Sequence, residues 1–280
     1  MSVLSTINTN SLPAKIHHSS SCFTTIKKMG YDENIHLEER NTLKTFLVCL
    51  CATLLLCVAP YNGFSEVIVY DLVSPQAQKA MLKAETRGAF FHKGGTVVNF
   101  LIDGKSIGSV LSGGDGFAYK QFTPQKCGVY RINAKSGTDE DYGTLLSLKK
   151  GTGIVFVDLE SNLFGELFSR KIRHGSQKAI KDINRRFPVV FLYSSITDTK
   201  EIKTWLEEHG FPALPVLPWD EGKTFDEMVK AGFRVKAVIG SPEIIESAKE
   251  YHTQAFTFQE SEDAQEVKDW EEVRRRLLRE

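Results

Sequence analysis

The sequence has no surplus of charge of either sign. Its 280 residues carry 35 Lys and Arg against 35 Asp and Glu, so it lacks the clustered positive charge that a nucleic-acid partner demands. The densest basic run, Arg274, Arg275 and Arg276, is flanked by Glu271, Glu272 and Glu280 and reads as a solvated helix face. Cysteine is scarce as well. Of the five, Cys22, Cys49, Cys51 and Cys57 fall before residue 66, which leaves Cys127 alone in the remainder and excludes an intramolecular disulfide there. No Cys and His spacing fits zinc, and His92, His174, His209 and His252 are dispersed without an acid at metal-ligand spacing. A bilayer-spanning run is missing too. The apolar stretch from Phe46 to Ala59 reaches only about 21 Å as a helix, against a hydrocarbon core of about 30 Å.

That short stretch has the marks of a secretory h-region. Arg40 and Lys44 precede it, Pro60, Asn62 and Gly63 follow it, and Gly63 and Ser65 stand at the minus-three and minus-one positions of a cut before Glu66. Residues 1–65 therefore read as a disordered leader plus a signal peptide or signal anchor. The expected location is periplasmic or otherwise extracytoplasmic, with membrane anchoring through residues 46–59 as the variant without cleavage. The first 31 residues are rich in Ser, Thr and Asn, lack acids and show no helical or strand period.

With 41% apolar residues, the rest can build packed cores. Residues 66–150 read as short strands. The run 96–102 ends at the tight-turn pair Asp103-Gly104, strands follow over 106–111 and 117–122, and Pro124 and Gly128 bracket a turn before 129–134 and 145–148. This spacing suggests a β-sandwich, and the pattern resembles bacterial immunoglobulin-like modules, which serve as binding or spacer units far more than as enzymes.

From Gly151 the pattern changes to continuous apolar strands alternating with amphipathic helices. Strands are expected over 153–158, 189–193, 213–217, 235–239 and 255–258, and helices over 175–185, 198–209, 224–231, 242–251 and 263–279. Such a βαβ series builds a parallel sheet with helices on both faces, and it binds ligands at the carboxyl ends of its strands. Those ends carry Asp158, Ser194 and Gly240-Ser241.

Over residues 151–260 this order resembles the haloacid dehalogenase-like (HAD) phosphohydrolases. The residues that carry the likeness are Asp158-Leu159-Glu160, Ser194, Lys223 ahead of a helix, and Gly240-Ser241 followed by Glu243 and Glu246. With a preceding sandwich and no room for a cap domain, the chain is similar to lipin-type phosphatidate phosphatases and to the C-terminal region of membrane-associated phosphatidylinositol transfer proteins. The resemblance implies a three-layer HAD-like (Rossmannoid) domain over 151–280. It also implies a Mg²⁺-dependent phosphohydrolase acting on a large phosphoester or phospholipid headgroup such as phosphatidate. Asp158 would be nucleophile and Mg²⁺ ligand, Glu160 the acid and base with its carbonyl at the metal, Ser194 and Lys223 the phosphate-binding pair, and Glu246 a further metal ligand.

The chemistry explains those residue types. A carboxylate attacking phosphorus splits hydrolysis into two easier displacements, and the charge on the phosphoryl oxygens needs a cation, a hydroxyl and a lysine. Two positions depart from the family pattern. Glu160 is one methylene longer than the usual Asp, and Ser241 stands where the family most often has an acid. The alternative reading is accordingly a catalytically degenerate module that binds a phosphate headgroup or a protein partner at the cell envelope.

Overall fold

The computed structural model describes residues 66–88, 91–163, 172–194 and 198–279. The expected leader and the apolar run 46–59 lie outside the described residues, and no described helix is long and apolar enough to cross a membrane.

Eight strands form a β-sandwich. They are β1 (Glu66–Val69), β2 (Leu72–Pro75), β3 (Ala80–Arg87), β4 (Val97–Ile102), β5 (Lys105–Leu111), β6 (Phe117–Phe122), β7 (Gly128–Ser136) and β8 (Asp139–Leu148). One sheet has the order β1-β3-β6 and the other β2-β8-β7-β4-β5. Pairing is antiparallel except between β2 and β8. Period-two alternation sets the inner faces. Val98, Phe100 and Ile102 of β4 and Ile132 and Ala134 of β7 turn inward onto Val67, Leu82, Ala84 and Ala118. Asp103 and Gly104 both take positive φ, 48° and 79°, the backbone of a two-residue hairpin turn. The Asp103 carboxylate accepts from the Arg131 amide at 2.9 Å and ties the turn to β7.

Beyond a turn at Gly151 the chain builds a parallel layer. The elements are β9 (Gly153–Asp158), α1 (Leu159–Asn162), α2 (Ser176–Asn184), β10 (Val189–Tyr193), α3 (Thr199–Glu208), β11 (Val216–Pro218), α4 (Lys223–Lys230), β12 (Arg234–Ile239), α5 (Pro242–Ala248), β13 (Gln254–Thr257), β14 (Gln265–Glu266) and α6 (Trp270–Leu278). The six strands run in the order β11-β10-β9-β12-β13-β14, and every adjacent pair is parallel. Central β9 is apolar from Ile154 to Val157 because helices cover both faces. Val155 and Val157 pack with Ile180 and Ile183 of α2, Trp205 of α3 and Trp270 of α6. Ile154 and Phe156 face Phe225 and Met228 of α4 and Ile244 and Ile245 of α5.

The second of these clusters also takes in Val73, Leu146 and Leu148 of the sandwich. The described residues accordingly form one compact unit. Contacts between sandwich and parallel layer are part of a common core.

One element is much shorter than its periodicity implies. Instead of a helix over 263–279, Gln265 and Glu266 add an edge strand to the sheet, and α6 begins only at Trp270. Asp269 stops the helix from extending backwards. Its carboxylate accepts from the Glu272 amide at 2.8 Å as an N-cap, while the Val267 amide donates to the Thr257 carbonyl. Trp270 is fully buried, and its indole N–H donates to the Asn162 carbonyl at 3.0 Å.

Candidate functional site

The carboxyl ends of β9, β10 and β12 lie side by side because the three strands are neighbours in register. Each end leads into a loop or a capped helix, so backbone amides and short polar side chains collect there. Asp158 closes β9 and caps α1. It is 2% exposed, and its Oδ1 accepts from the Glu160 amide at 3.0 Å and, weakly, from the Ser161 amide at 3.5 Å. Its Oδ2 accepts from the Ser161 hydroxyl and from the Ser241 amide at 3.1 Å. Burial pushes the Asp158 carboxyl up. The Ser161 hydroxyl and the Ser241 amide oppose that shift, and the Glu160 charge adds to it.

Glu160 reaches across to β10. Its Oε2 accepts from the Ser194 amide at 2.9 Å and from the Ser194 hydroxyl at 2.6 Å. Asn162 locks the strand ends together, its amide donating to the Asp158 carbonyl at 3.2 Å and to the Ile239 carbonyl at 3.0 Å. Asp158, Glu160 and Ser194 thus form one hydrogen-bonded cluster, with the Ser241 backbone completing it.

Lys223 and Glu246 lie elsewhere. Lys223 begins α4, is largely exposed and pairs with Asp220 at 2.9 Å. It lines a cleft of about 380 Å³ between the sheet edge and the sandwich, together with Tyr70, Met81, Lys83 and Leu217. Glu246, on α5, is exposed and paired with Lys249. Glu243 meets only the Ser241 hydroxyl, at 3.4 Å. Among the described residues no group of three or more His, Cys, Asp and Glu side chains could hold a metal ion. The donors that remain at the cluster are two carboxylates and two serine hydroxyls, all hard oxygens.

Sequence reading missed Ser161 and Asn162. The signal was present as an Asp at the end of a strand with a Ser three residues on, the pattern of a helix N-cap. It also missed a polar network on the sandwich. Glu85, 1% exposed, accepts from Arg87 Nε at 2.5 Å and from the Tyr70 hydroxyl at 2.5 Å, and lies 2.8 Å from His92 Nδ1. Burial alone would raise the Glu85 carboxyl, but Arg87, Tyr70 and His92 together hold it below the usual carboxylate range. His92, which has no acid at metal-ligand spacing in the sequence, meets Glu85 through the fold. Cys127 is exposed, and its thiol donates to the Gln76 side-chain Oε1 at 3.0 Å.

No family model matches the chain, and no curated protein does. Among solved structures it is similar to domains 4 and 5 of the S-layer protein SbsC, with 19% identity over 31% of this chain and 54% of that one and a TM-score of 0.24. It is similar to the D00-D0 domain of intimin, with 17% identity over 31% and 47% and a TM-score of 0.26. A third is titin domain I10, with 13% identity over 30% and 98% and a TM-score of 0.24. The chain spans about half the length of the S-layer and intimin pieces.

These findings correct the expected kinship. No family model and no curated protein supports a haloacid dehalogenase-like or lipin-type assignment, and a titin domain and fibronectin(III)-like modules are among the solved structures similar to about a third of the chain. The fold of the first part is a β-sandwich of a three-stranded and a five-stranded sheet. The likeness over residues 151–260 rested on order and spacing of polar residues at strand ends. Parallel sheets generate that order without kinship, because caps and turns place Asp and Ser at strand ends in any such fold.

Proposed function

We propose that this chain is an exported, envelope-associated binding protein, and that the Asp158, Glu160 and Ser194 cluster holds a phosphoester through Mg²⁺ without hydrolysing it. The observation that carries this reading is the placing of two acids, Asp158 and Glu160, at the end of β9 with the Ser194 amide and hydroxyl of the neighbouring strand end bonded to the second. Two adjacent carboxylates favour a cation over a bare anion. The donor set fits Mg²⁺, which is commonly held by one or two carboxylates with water and phosphate oxygens filling the rest. Asp158 and Glu160 would be the ligands, and Mg²⁺ there would supply the positive charge that lets a phosphate oxygen approach them. The Ser194 hydroxyl would turn from Glu160 to the phosphate.

Turnover is not part of the proposal, because the residues that would drive it are otherwise engaged. Asp158 Oδ2 takes two hydrogen bonds, from the Ser161 hydroxyl and the Ser241 amide, which weaken the carboxylate as a nucleophile, while Oδ1, bonded chiefly to the Glu160 amide, keeps a lone pair for a cation. Lys223 pairs with Asp220. Location outside the cytoplasm rests on the apolar run 46–59 and its flanks.

Calorimetric titration of the full chain with Mg²⁺ and inorganic phosphate, and in a second arm with phosphatidate vesicles, tests this reading. Expected is phosphate binding that needs Mg²⁺ and is lost in Asp158→Asn, with no phosphate released from either source. Binding to vesicles but not to inorganic phosphate would narrow the ligand to a lipid headgroup. Phosphate release abolished by Asp158→Asn would replace binding with hydrolysis, and an absence of Mg²⁺-dependent binding in both arms would sink the proposal.

A further inference from the structure

The seam between sandwich and parallel layer contains a buried charge cluster that the proposed phosphoester site does not use. Asp71, between β1 and β2, is fully buried, and its carboxylate joins the two parts directly. Oδ1 accepts from the Thr144 amide of β8 at 2.8 Å, and Oδ2 accepts from the Val216 amide of β11 at 2.9 Å. The close approach depends on Gly143. A Cβ there would stand 2.5 Å from the Val69 side chain and 3.1 Å from Asp71 Oδ1. Asp141 of β8 accepts from the Val69 amide at 2.7 Å.

Lys203 enters this pocket from α3. Its ammonium donates to the Val69 carbonyl at 2.8 Å and to the Tyr142 carbonyl at 2.5 Å. It lies 3.7 Å from Asp71 and 3.6 Å from Asp141. The groups facing Asp71 are therefore Asp141 from β8, Lys203 from α3 and the Tyr193 phenol from β10, which bonds to the Thr199 hydroxyl. Two carboxylates meet one ammonium, so the seam carries one uncompensated negative charge when all three groups are ionised.

We propose that Asp71, Asp141 and Lys203 form a proton-operated latch between the sandwich and the parallel layer, tightening as the medium acidifies and one proton balances the buried charge. Burial pushes the Asp71 carboxyl up to about 6, against the pull of Lys203 and of the Val216 and Thr144 amides and with a push from Asp141. The latch grips α3, which is tied to the sandwich twice more, by Arg87 to Asp198 at 3.1 Å and Lys200 to Glu66 at 3.6 Å. Acidification therefore stiffens the hold of the sandwich on the helix that follows the Ser194 strand end. The inference stands independently of phosphoester binding.

Thermal midpoints of the full chain and of Asp71→Asn, measured between pH 7.5 and 5.5, test it. Expected is a gain on acidification that is about 2–3 °C larger in the wild type than in the variant. Lys203→Met shifts the transition to higher pH, because the ammonium that keeps Asp71 ionised is gone. Parallel pH profiles for wild type and Asp71→Asn would overturn the latch. If Lys203→Met does not fold, the ¹³C signal of the Asp71 carboxyl in the wild type decides instead. A titration midpoint near 6 supports the latch, and one at the ordinary aspartate value of about 3.9 overturns it.

Discussion

Two buried aspartates sit in opposite electrostatic company. Asp71, in the seam, has two backbone amides and a lysine against one further acid. Asp158, at the strand ends, has backbone amides and a serine hydroxyl against one further acid, and among the described residues no lysine or arginine is bonded to it. Burial raises both carboxyls. The difference lies in what closes the charge balance. The seam carries its own cation and needs only a proton, so it behaves as a structural joint that responds to pH. At the strand-end cluster Asp158 and Glu160 are bonded by backbone amides and serine hydroxyls, an oxygen-rich site where the proposed Mg²⁺ would supply the balancing charge.

The largest effect is expected from removing the seam's cation. Lys203→Met leaves Asp71 and Asp141 buried without a counter-charge, and breaking a buried pair in that way costs about 3–5 kcal/mol. Chemical denaturation of the full chain reads this directly. A loss under 1 kcal/mol would place the Lys203 contacts among weak surface pairs and remove the contrast. Next is Asp158→Ala, which strips α1 of its cap and leaves the Ser241 amide without its acceptor. About 2 kcal/mol is expected, together with loss of any stabilisation by Mg²⁺. In the wild type, millimolar Mg²⁺ should raise the melting temperature, and in Asp158→Ala it should not.

A smaller effect comes from protonating Asp71. Its carboxyl is raised in the fold relative to about 3.9 unfolded, so below pH 6 the native chain binds a proton that the unfolded chain releases. Stability from this group therefore rises as pH falls from 7.5 and levels off near the unfolded value. The gain is about 1 kcal/mol by pH 5.5, and it is absent in Asp71→Asn. The smallest effect is expected at Lys223. It is exposed and paired only with Asp220, so Lys223→Ala should leave both the melting temperature and Mg²⁺-dependent phosphate binding unchanged. A loss of binding would show that this lysine reaches the strand-end cluster after all.

Much of the fold was legible in the residue pattern. The Asp103-Gly104 turn, the alternation along β4 and the apolar run of β9 each follow from local rules of turn chemistry and periodicity. The helix starting at Ser176 and the strand at Val189 fall within a residue of their expected places. The end of the chain was less legible. Apolar residues from Val267 to Leu277 keep a helical period, but the Asp269 cap and the pairing of β13 with β14 break it. At the candidate site, Asp158, Glu160 and Ser194 come together because strand register places neighbouring strand ends side by side. Lys223 and Glu246 do not, because each sits on a helix and is captured first by an oppositely charged residue three positions away in the chain, Asp220 and Lys249.

What the sequence by itself determined is therefore local: where strands and helices form, where turns fall, and that the overall charge is balanced. Tertiary structure alone decided which charges neutralise one another. Lys203 meets Asp71 and Asp141, and Arg87 meets Asp198, across separations in the chain that no periodic pattern encodes. The physical reason is range. Hydrophobic period and capping act over a few neighbouring residues, whereas the state of a buried carboxylate depends on whatever the packed fold places within a few ångströms of it.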